Sequence, residues 1–165
     1  MKKTVLLLSF LFSITSLVFA QEKRASPHVT AESKNVKVTY GQPSKKGRQI
    51  FGGLEKFGTV WRTGADEATE ITFAKDGKFG GKAVKAGTYT LFSKLGEKEW
   101  TIILNSELKQ WGAYGYDKIK DKNVAEVTVP TKTLSAPVEK LTITTDDKVL
   151  TIAWDTTSVS VPMEF

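Results

Sequence analysis

Apolar and polar residues alternate one by one in many separate stretches of this chain. Between residues 36 and 40, Val36, Val38 and Tyr40 lie on one side, with a lysine and a threonine on the other. Side chains of a β-strand point alternately to opposite faces, so this pattern predicts strands with one buried face. No stretch shows convincing helical periodicity. The alternation recurs at residues 69–73, 100–104, 127–129, 141–143, 150–154 and 159–161.

Turn-forming residues separate these stretches. Asp76-Gly77 lies between two strand-like stretches and predicts a hairpin there. Gly96-Glu97 and Asp146-Asp147 separate further strand pairs, and Gly80-Gly81 interrupts the middle of the chain. About nine strands, spaced roughly 8–12 residues apart, predict an all-β fold, either an antiparallel sandwich or a jelly-roll-like barrel.

Residues 41–67 break this rhythm. The stretch contains Pro43 and several glycines, and it is too long to be a passive connection. Long loops in compact domains are usually functional or disordered. Its apolar content predicts a loop that is packed against the fold. Those apolar residues are Ile50, Phe51, Leu54, Phe57, Val60 and Trp61.

The first 20 residues have the pattern of a cleavable signal peptide. Lys2 and Lys3 precede an apolar stretch that serines interrupt, and Val18-Phe19-Ala20 fits a cleavage site before Gln21. The apolar stretch is shorter than the roughly 20 residues that a membrane span needs, so we expect no integral membrane span after cleavage. The predicted organisation is a signal peptide at 1–20, a flexible leader at 21–27 and a single β domain at 28–165. The expected location is periplasmic or extracellular.

The sequence excludes several classes of functional site. The chain has no cysteine, and His28 is its one histidine, so zinc sets with two imidazoles or thiolates are excluded. No glycine-rich nucleotide loop and no nucleophile elbow occur. We therefore expect no metal site, no cofactor and no catalytic residue. The net charge of +6 comes mostly from dispersed lysines, which indicates a solvated surface and no nucleic-acid partner.

The end of the long loop is the first candidate binding stretch. The chain has 21 lysines and three arginines, yet Arg48 and Arg62 both lie in this loop. Arginine binds carboxylate or phosphate through two parallel hydrogen bonds, so it suits a ligand. Alternatively, either arginine pairs with Asp66 or Glu67, while Trp61 covers the edge of the core. Because adjacent strand residues point to opposite faces, those two carboxylates are not expected to flank one bond.

The second candidate stretch carries three aromatic residues. If it is extended, Tyr114 and Tyr116 project from one face about 7 Å apart. Small residues lie between them, and Trp111 precedes them. Such rings can stack on sugars or other flat ligands, or they can serve ordinary strand packing.

Several motifs together resemble a known family. They include Tyr40-Gly41-Gln42-Pro43, Ile50-Phe51-Gly52-Gly53-Leu54, Trp61-Arg62-Thr63-Gly64-Ala65-Asp66-Glu67-Ala68-Thr69 and Trp111-Gly112-Ala113-Tyr114. The chain resembles a family of exported bacterial proteins, common in Bacteroidetes, that is catalogued as a domain of unknown function. The resemblance implies export but no activity. In that family asparagine is frequent at the position of Asp66, which argues against a charged catalytic role there.

The sequence therefore predicts an exported β-sandwich that binds a saccharide, a small envelope ligand or an envelope protein. Its binding face is expected to combine Arg48, Trp61, Arg62, Asp66 and Glu67 with the aromatic stretch 111–116. The alternatives are a small periplasmic hydrolase or isomerase that uses carboxylate and arginine groups, and a scaffold without a small-molecule site. Binding is favoured over catalysis, which is the second interpretation, and the scaffold is the third.

Overall fold

Eleven β-strands and two short 3₁₀-helices make up residues 26–165, the part of the chain that this computed structural model describes. The predicted signal peptide and most of the leader lie outside the described residues. None of the helices in the described part is long and apolar enough to cross a membrane. The strands are β1 (His28–Glu32), β2 (Val36–Gly41), β3 (Val60–Trp61), β4 (Glu70–Phe73), β5 (Gly77–Phe79), β6 (Lys82–Val84), β7 (Gly87–Lys94), β8 (Glu99–Asn105), β9 (Asn123–Pro130), β10 (Lys132–Thr145) and β11 (Val149–Glu164).

The strands form two antiparallel sheets. The first has the order β1-β2-β4-β7-β8-β9, and β3 pairs with the second half of β7. The second has the order β10-β11-β5-β6. Apolar residues from both sheets share one buried cluster, so the predicted all-β sandwich is confirmed. The count exceeds the expected nine because β3, β5 and β6 have only two or three residues, too few to show an alternation.

Aromatic rings fill the centre of the core between the sheets. Trp61 stacks on Trp154 with ring centroids 6.0 Å apart, and Phe51 meets Trp100 edge-on at 4.7 Å. Two of these rings come from the long loop, which is therefore packed into the core as expected. Truncating a ring buried in this way typically costs about 3–5 kcal/mol. Leu54 and Phe57 of the same loop, by contrast, lie exposed at its surface.

The turns differ from the prediction at one place. Asp76-Gly77 does not close a hairpin, because β4 belongs to the first sheet and β5 to the second. The chain changes sheets there, and a local turn signal does not reveal where the next strand pairs. The tight hairpin forms at Gly80-Gly81 instead, where both residues have φ values, 56° and 78°, that a two-residue type I′ turn requires.

A second, smaller apolar cluster covers the outer face of the first sheet. Phe92 of β7 and Ile103 of β8 are buried there against Ala68. Residues 106–119 fold over this face and contribute Tyr116, among others, to the cover. The middle of this sheet is therefore buried on both sides, and the segment that covers it also borders the candidate site.

Candidate functional site

Backbone hydrogen bonds join the two stretches that the sequence singled out. The Ala68 amide donates to the Gln110 carbonyl at 2.8 Å, and the Gly112 amide donates to the Asp66 carbonyl at 3.1 Å. An isolated bridge pairs Glu67 with Trp111. The end of the long loop and the aromatic stretch therefore lie side by side at one edge of the sandwich.

A cavity of about 360 Å³, hereafter the polar cleft, opens beside this junction. Its volume is within the range of about 300–1,000 Å³ that is usual for small-molecule sites. The end of the predicted leader also reaches it, since Ser26 is buried and the Pro27 carbonyl accepts a hydrogen bond from the Gln42 amide. The side chains that matter chemically are Ser26, Gln42, Arg48, Glu55, Arg62 and Asp66.

Asp66 holds an unusual position in the polar cleft. Its φ is 64°, in the left-handed region that costs a non-glycine residue about 1–3 kcal/mol. Its Oδ2 atom is buried and accepts no hydrogen bond from any residue in the described part of the chain. Leaving such an oxygen unpaired costs roughly 1–3 kcal/mol, and more for a charged group. A polar group from a bound molecule is one way to satisfy it.

Both arginines are held by backbone carbonyls. Arg62 Nε donates to the Gly64 carbonyl at 3.2 Å, and Arg48 donates to the carbonyls of Lys45 and Ser44 at 2.9 and 2.7 Å. The alternative that they pair with Asp66 or Glu67 is wrong. The terminal nitrogens of Arg62 form neither a hydrogen bond nor an ion pair with residues 26–165, so they can donate into the cavity.

Glu55 is the cleft residue that the sequence analysis missed. Its amide donates to the Ile50 carbonyl at 2.9 Å, which fixes it at the end of a tight turn. Burial raises the pKa of its carboxyl, while the positive charges of Arg62 and Arg48 lower that pKa by a smaller amount. The signal was available, because Glu55 is the acidic residue that lies between the two arginines in the loop.

Glu67 points away from Asp66, as expected for adjacent residues. Its carboxylate lies 2.9 Å from His28 Nε2 and borders a different cavity. The carboxylates that share the polar cleft are therefore Asp66 and Glu55.

The aromatic stretch is not extended, so the prediction that Tyr114 and Tyr116 share a strand face is wrong. Residues 112–115 form turns, and a 3₁₀-helix begins at Tyr116. The Tyr116 ring packs edge-on against Phe92 at 5.3 Å, and its hydroxyl accepts a hydrogen bond from Asn123. Tyr116 therefore packs against the first sheet and lines neither the polar cleft nor the cavity beside Tyr114.

Tyr114 is 85% exposed and borders a second cavity of about 360 Å³, hereafter the tyrosine hollow. The hollow and the polar cleft share three lining residues, Leu54, Glu55 and Arg62. The predicted binding residue Trp61 is buried, and it lines the hollow but not the polar cleft. Trp111, also exposed, lies outside both cavities.

Gly112 sets the distance between the tyrosine ring and the arginine. Its φ is 70°, and a Cβ there would lie 2.7 Å from a ring carbon of Tyr114 and 3.2 Å from a terminal nitrogen of Arg62. Only glycine fits without displacing one of them.

A model of one protein family matches the chain over residues 22–163, and its description reads protein of unknown function, DUF2911. The chain belongs to this family. The resemblance read from the sequence motifs is thereby confirmed at the level of the family, while export stays a prediction. No curated protein and no solved structure matches the chain.

This DUF2911 protein presents three kinds of group to a molecule in the polar cleft. The Asp66 carboxylate is a hydrogen-bond acceptor, and the Arg62 terminal nitrogens are donors. The Glu55 carboxyl can do either, depending on whether it carries its proton. In the described residues, no group of three or more acidic or histidine side chains is arranged to hold a metal ion.

Proposed function

We propose that this protein is an exported binding protein whose polar cleft holds a saccharide ring. The observation that carries the proposal is that Asp66, whose Oδ2 is buried and unpartnered among the described residues, lines the same cleft as Glu55 and Arg62. A sugar ring presents adjacent hydroxyl groups, each of which donates one hydrogen bond and accepts others. Carboxylate acceptors beside a guanidinium donor match such a pair of hydroxyls.

The charges in the cleft favour this ligand over a carboxylate anion. Arg48 and Arg62 attract an anion, but Asp66 lines the same cavity and one of its oxygens lacks a donor among the described residues. An ionised carboxylate has no proton to give, whereas a hydroxyl has one. The proposed location outside the cytoplasm rests on the sequence pattern of residues 1–20.

Replacing Asp66 by glycine tests the proposal. Glycine adopts a φ of 64° without strain, and the substitution also removes the unpartnered oxygen, so we expect an unchanged or raised melting temperature. Saccharide affinity, measured by calorimetry across a glycan panel, should fall by about tenfold or more.

The matched control is Asp147→Gly. Asp147 has nearly the same φ, 69°, but its carboxylate accepts hydrogen bonds from Ser33 and Asn35. This variant should lose stability and keep its affinity. Binding that survives in Asp66→Gly, or a panel in which no saccharide binds, would contradict the proposal.

One observation favours a second candidate function, hydrolysis of a glycosidic bond. Burial raises the pKa of Glu55, as a general acid requires, and a second carboxylate lines the same cleft. In that case Glu55 gives its proton to the leaving oxygen as the glycosidic C–O bond breaks, while water attacks the sugar carbon and gives its own proton to the Asp66 carboxylate. Release of reducing ends from oligosaccharides, lost in Glu55→Gln, would support hydrolysis; binding without product would exclude it.

A further inference from the structure

The tyrosine hollow adjoins the polar cleft. Leu54, Glu55 and Arg62 line both cavities, so the two cavities lie next to each other at these side chains. A linear molecule that passes over these side chains can reach both cavities.

The Tyr114 ring is an exposed platform that lines the hollow but not the polar cleft. It is 85% exposed and makes no close ring contact with the other aromatic residues described, unlike Tyr116 two residues later. Gly112 lies against the ring and next to the Arg62 guanidinium, which fixes the platform relative to the cleft. Leu54, 45% exposed, adds a second apolar surface.

Glu55 and Arg62 line both cavities, and the remaining groups differ in a way that suits successive sugar units. The polar cleft adds Gln42, Arg48 and Asp66, whose hydrogen-bonding groups match ring hydroxyls. The hollow offers the negative face of an aromatic ring, against which the weakly positive C–H bonds of a pyranose pack.

Resting on the proposed function, we infer that the ligand is a saccharide chain of at least two units. One unit occupies the polar cleft, and the next stacks on Tyr114 in the tyrosine hollow. The glycosidic linkage between them lies beside Glu55 and Arg62, the residues that border both cavities.

The test compares chain lengths of defined probes. Calorimetry is run on the full mature chain with glucose, cellobiose and cellotriose, and with N-acetylglucosamine and its β-linked dimer and trimer. In the series that binds, the disaccharide should bind about tenfold more tightly than the monosaccharide, and the trisaccharide should add little. Tyr114→Ala should abolish this gain and leave the monosaccharide affinity unchanged.

Trp111→Ala is the matched control, because this exposed ring lies on the same segment but outside both cavities. It should change neither affinity. Equal affinities for one and two units, or an equal loss for both in Tyr114→Ala, would overturn this inference while the proposed function stands. Tighter binding of tetra-alanine than of any disaccharide would assign the hollow to a peptide and overturn it too. If no sugar binds at any length, the proposed function fails, and this inference fails with it.

Discussion

Three aspartates have a left-handed backbone, and they differ in what compensates the strain. Asp66, Asp147 and Asp155 have φ values of 64°, 69° and 53°. Asp147 accepts hydrogen bonds from Ser33 and Asn35, and Asp155 accepts them from Lys45 and Ile50. Asp66 alone of the three has a buried oxygen with no partner among the described residues. No hydrogen bond to the Oδ2 atom compensates the strain at Asp66, which supports the binding role proposed above.

At Asp147, we predict a stability effect that depends on pH. The Ser33 hydroxyl, followed by the Asn35 amide and side chain, holds the pKa of this carboxyl below its ordinary value. A lowered folded-state pKa stabilises the protein above the unfolded pKa, and this contribution disappears as pH falls through the folded value. Asp147→Asn should therefore destabilise the protein at pH 7, and the difference from wild type should shrink below about pH 4.

Urea denaturation at several pH values measures this difference. Asp121→Asn, on an exposed 3₁₀-helix, is the control. Its free energy of unfolding should stay close to that of wild type at every pH tested. A deficit in Asp147→Asn that stays constant down to the acid end would show that the charge is not the cause.

At the scale of elements, the long loop depends on one ion pair with the second sheet. Lys45 Nζ lies 2.7 Å from Asp155 Oδ1, and their side chains are only 21% and 12% exposed. The other oxygen of Asp155 accepts a hydrogen bond from the Ile50 amide at 3.4 Å. This pair anchors the first half of the loop to β11, below the polar cleft.

Asp155→Asn should destabilise the protein by about 3 kcal/mol, because it leaves the mostly buried Lys45 ammonium without its counter-charge. Asparagine tolerates the left-handed backbone, so the effect isolates the lost charge. Glu164→Gln breaks the exposed pair with Lys78 and should cost only about 0–1 kcal/mol. Equal losses for the two variants in urea denaturation would refute the anchoring role.

The alternation in the sequence predicts most of the strands. It does not predict that another segment packs on the outer face of the first sheet. Phe92 and Ile103 lie on the face that a one-sided strand would expose, and segment 106–119 buries them. Their apolar character was the available signal. The local sequence pattern of this segment predicts an extended conformation. The segment forms turns instead, and Tyr116 packs against Phe92. Tertiary contacts of this kind have no local signature.

At the scale of the molecule, the sequence does not predict which residues come together in the polar cleft. Its groups come from Ser26, from the loop residues Glu55 and Asp66, and from β11 through Trp154. Only the pairing of the two sheets brings these distant positions together. The sequence pointed to Arg62 and Asp66 through arginine scarcity and loop length, because those signals are local. Glu55 lacked a local signal as strong as these, since its importance lies in its burial.

The same loop also joins the two sheets at the edge strand β10. The Leu141 amide donates to the Pro43 carbonyl at 3.0 Å, and the Lys45 amide donates to the Glu139 carbonyl at 2.7 Å. Residues 43–45 thus continue from β2 of the first sheet to cover an edge of the second. The part of the β10 edge around residues 139–141 is therefore not open to pairing with another chain.

Tyr40 completes this connection from inside the core. Its hydroxyl accepts a hydrogen bond from the Ile143 amide of β10 at 3.0 Å, in buried surroundings. Tyr40→Phe keeps the ring but leaves that amide unpaired, so we expect a loss of about 1–3 kcal/mol in urea denaturation. Tyr114→Phe removes an exposed hydroxyl and should stay within about 0.5 kcal/mol of wild type. Faster hydrogen exchange at Ile143 in the Tyr40 variant would locate the loss at the junction of the sheets. Unchanged stability and exchange would mean that the Tyr40 hydroxyl does not stabilise this junction.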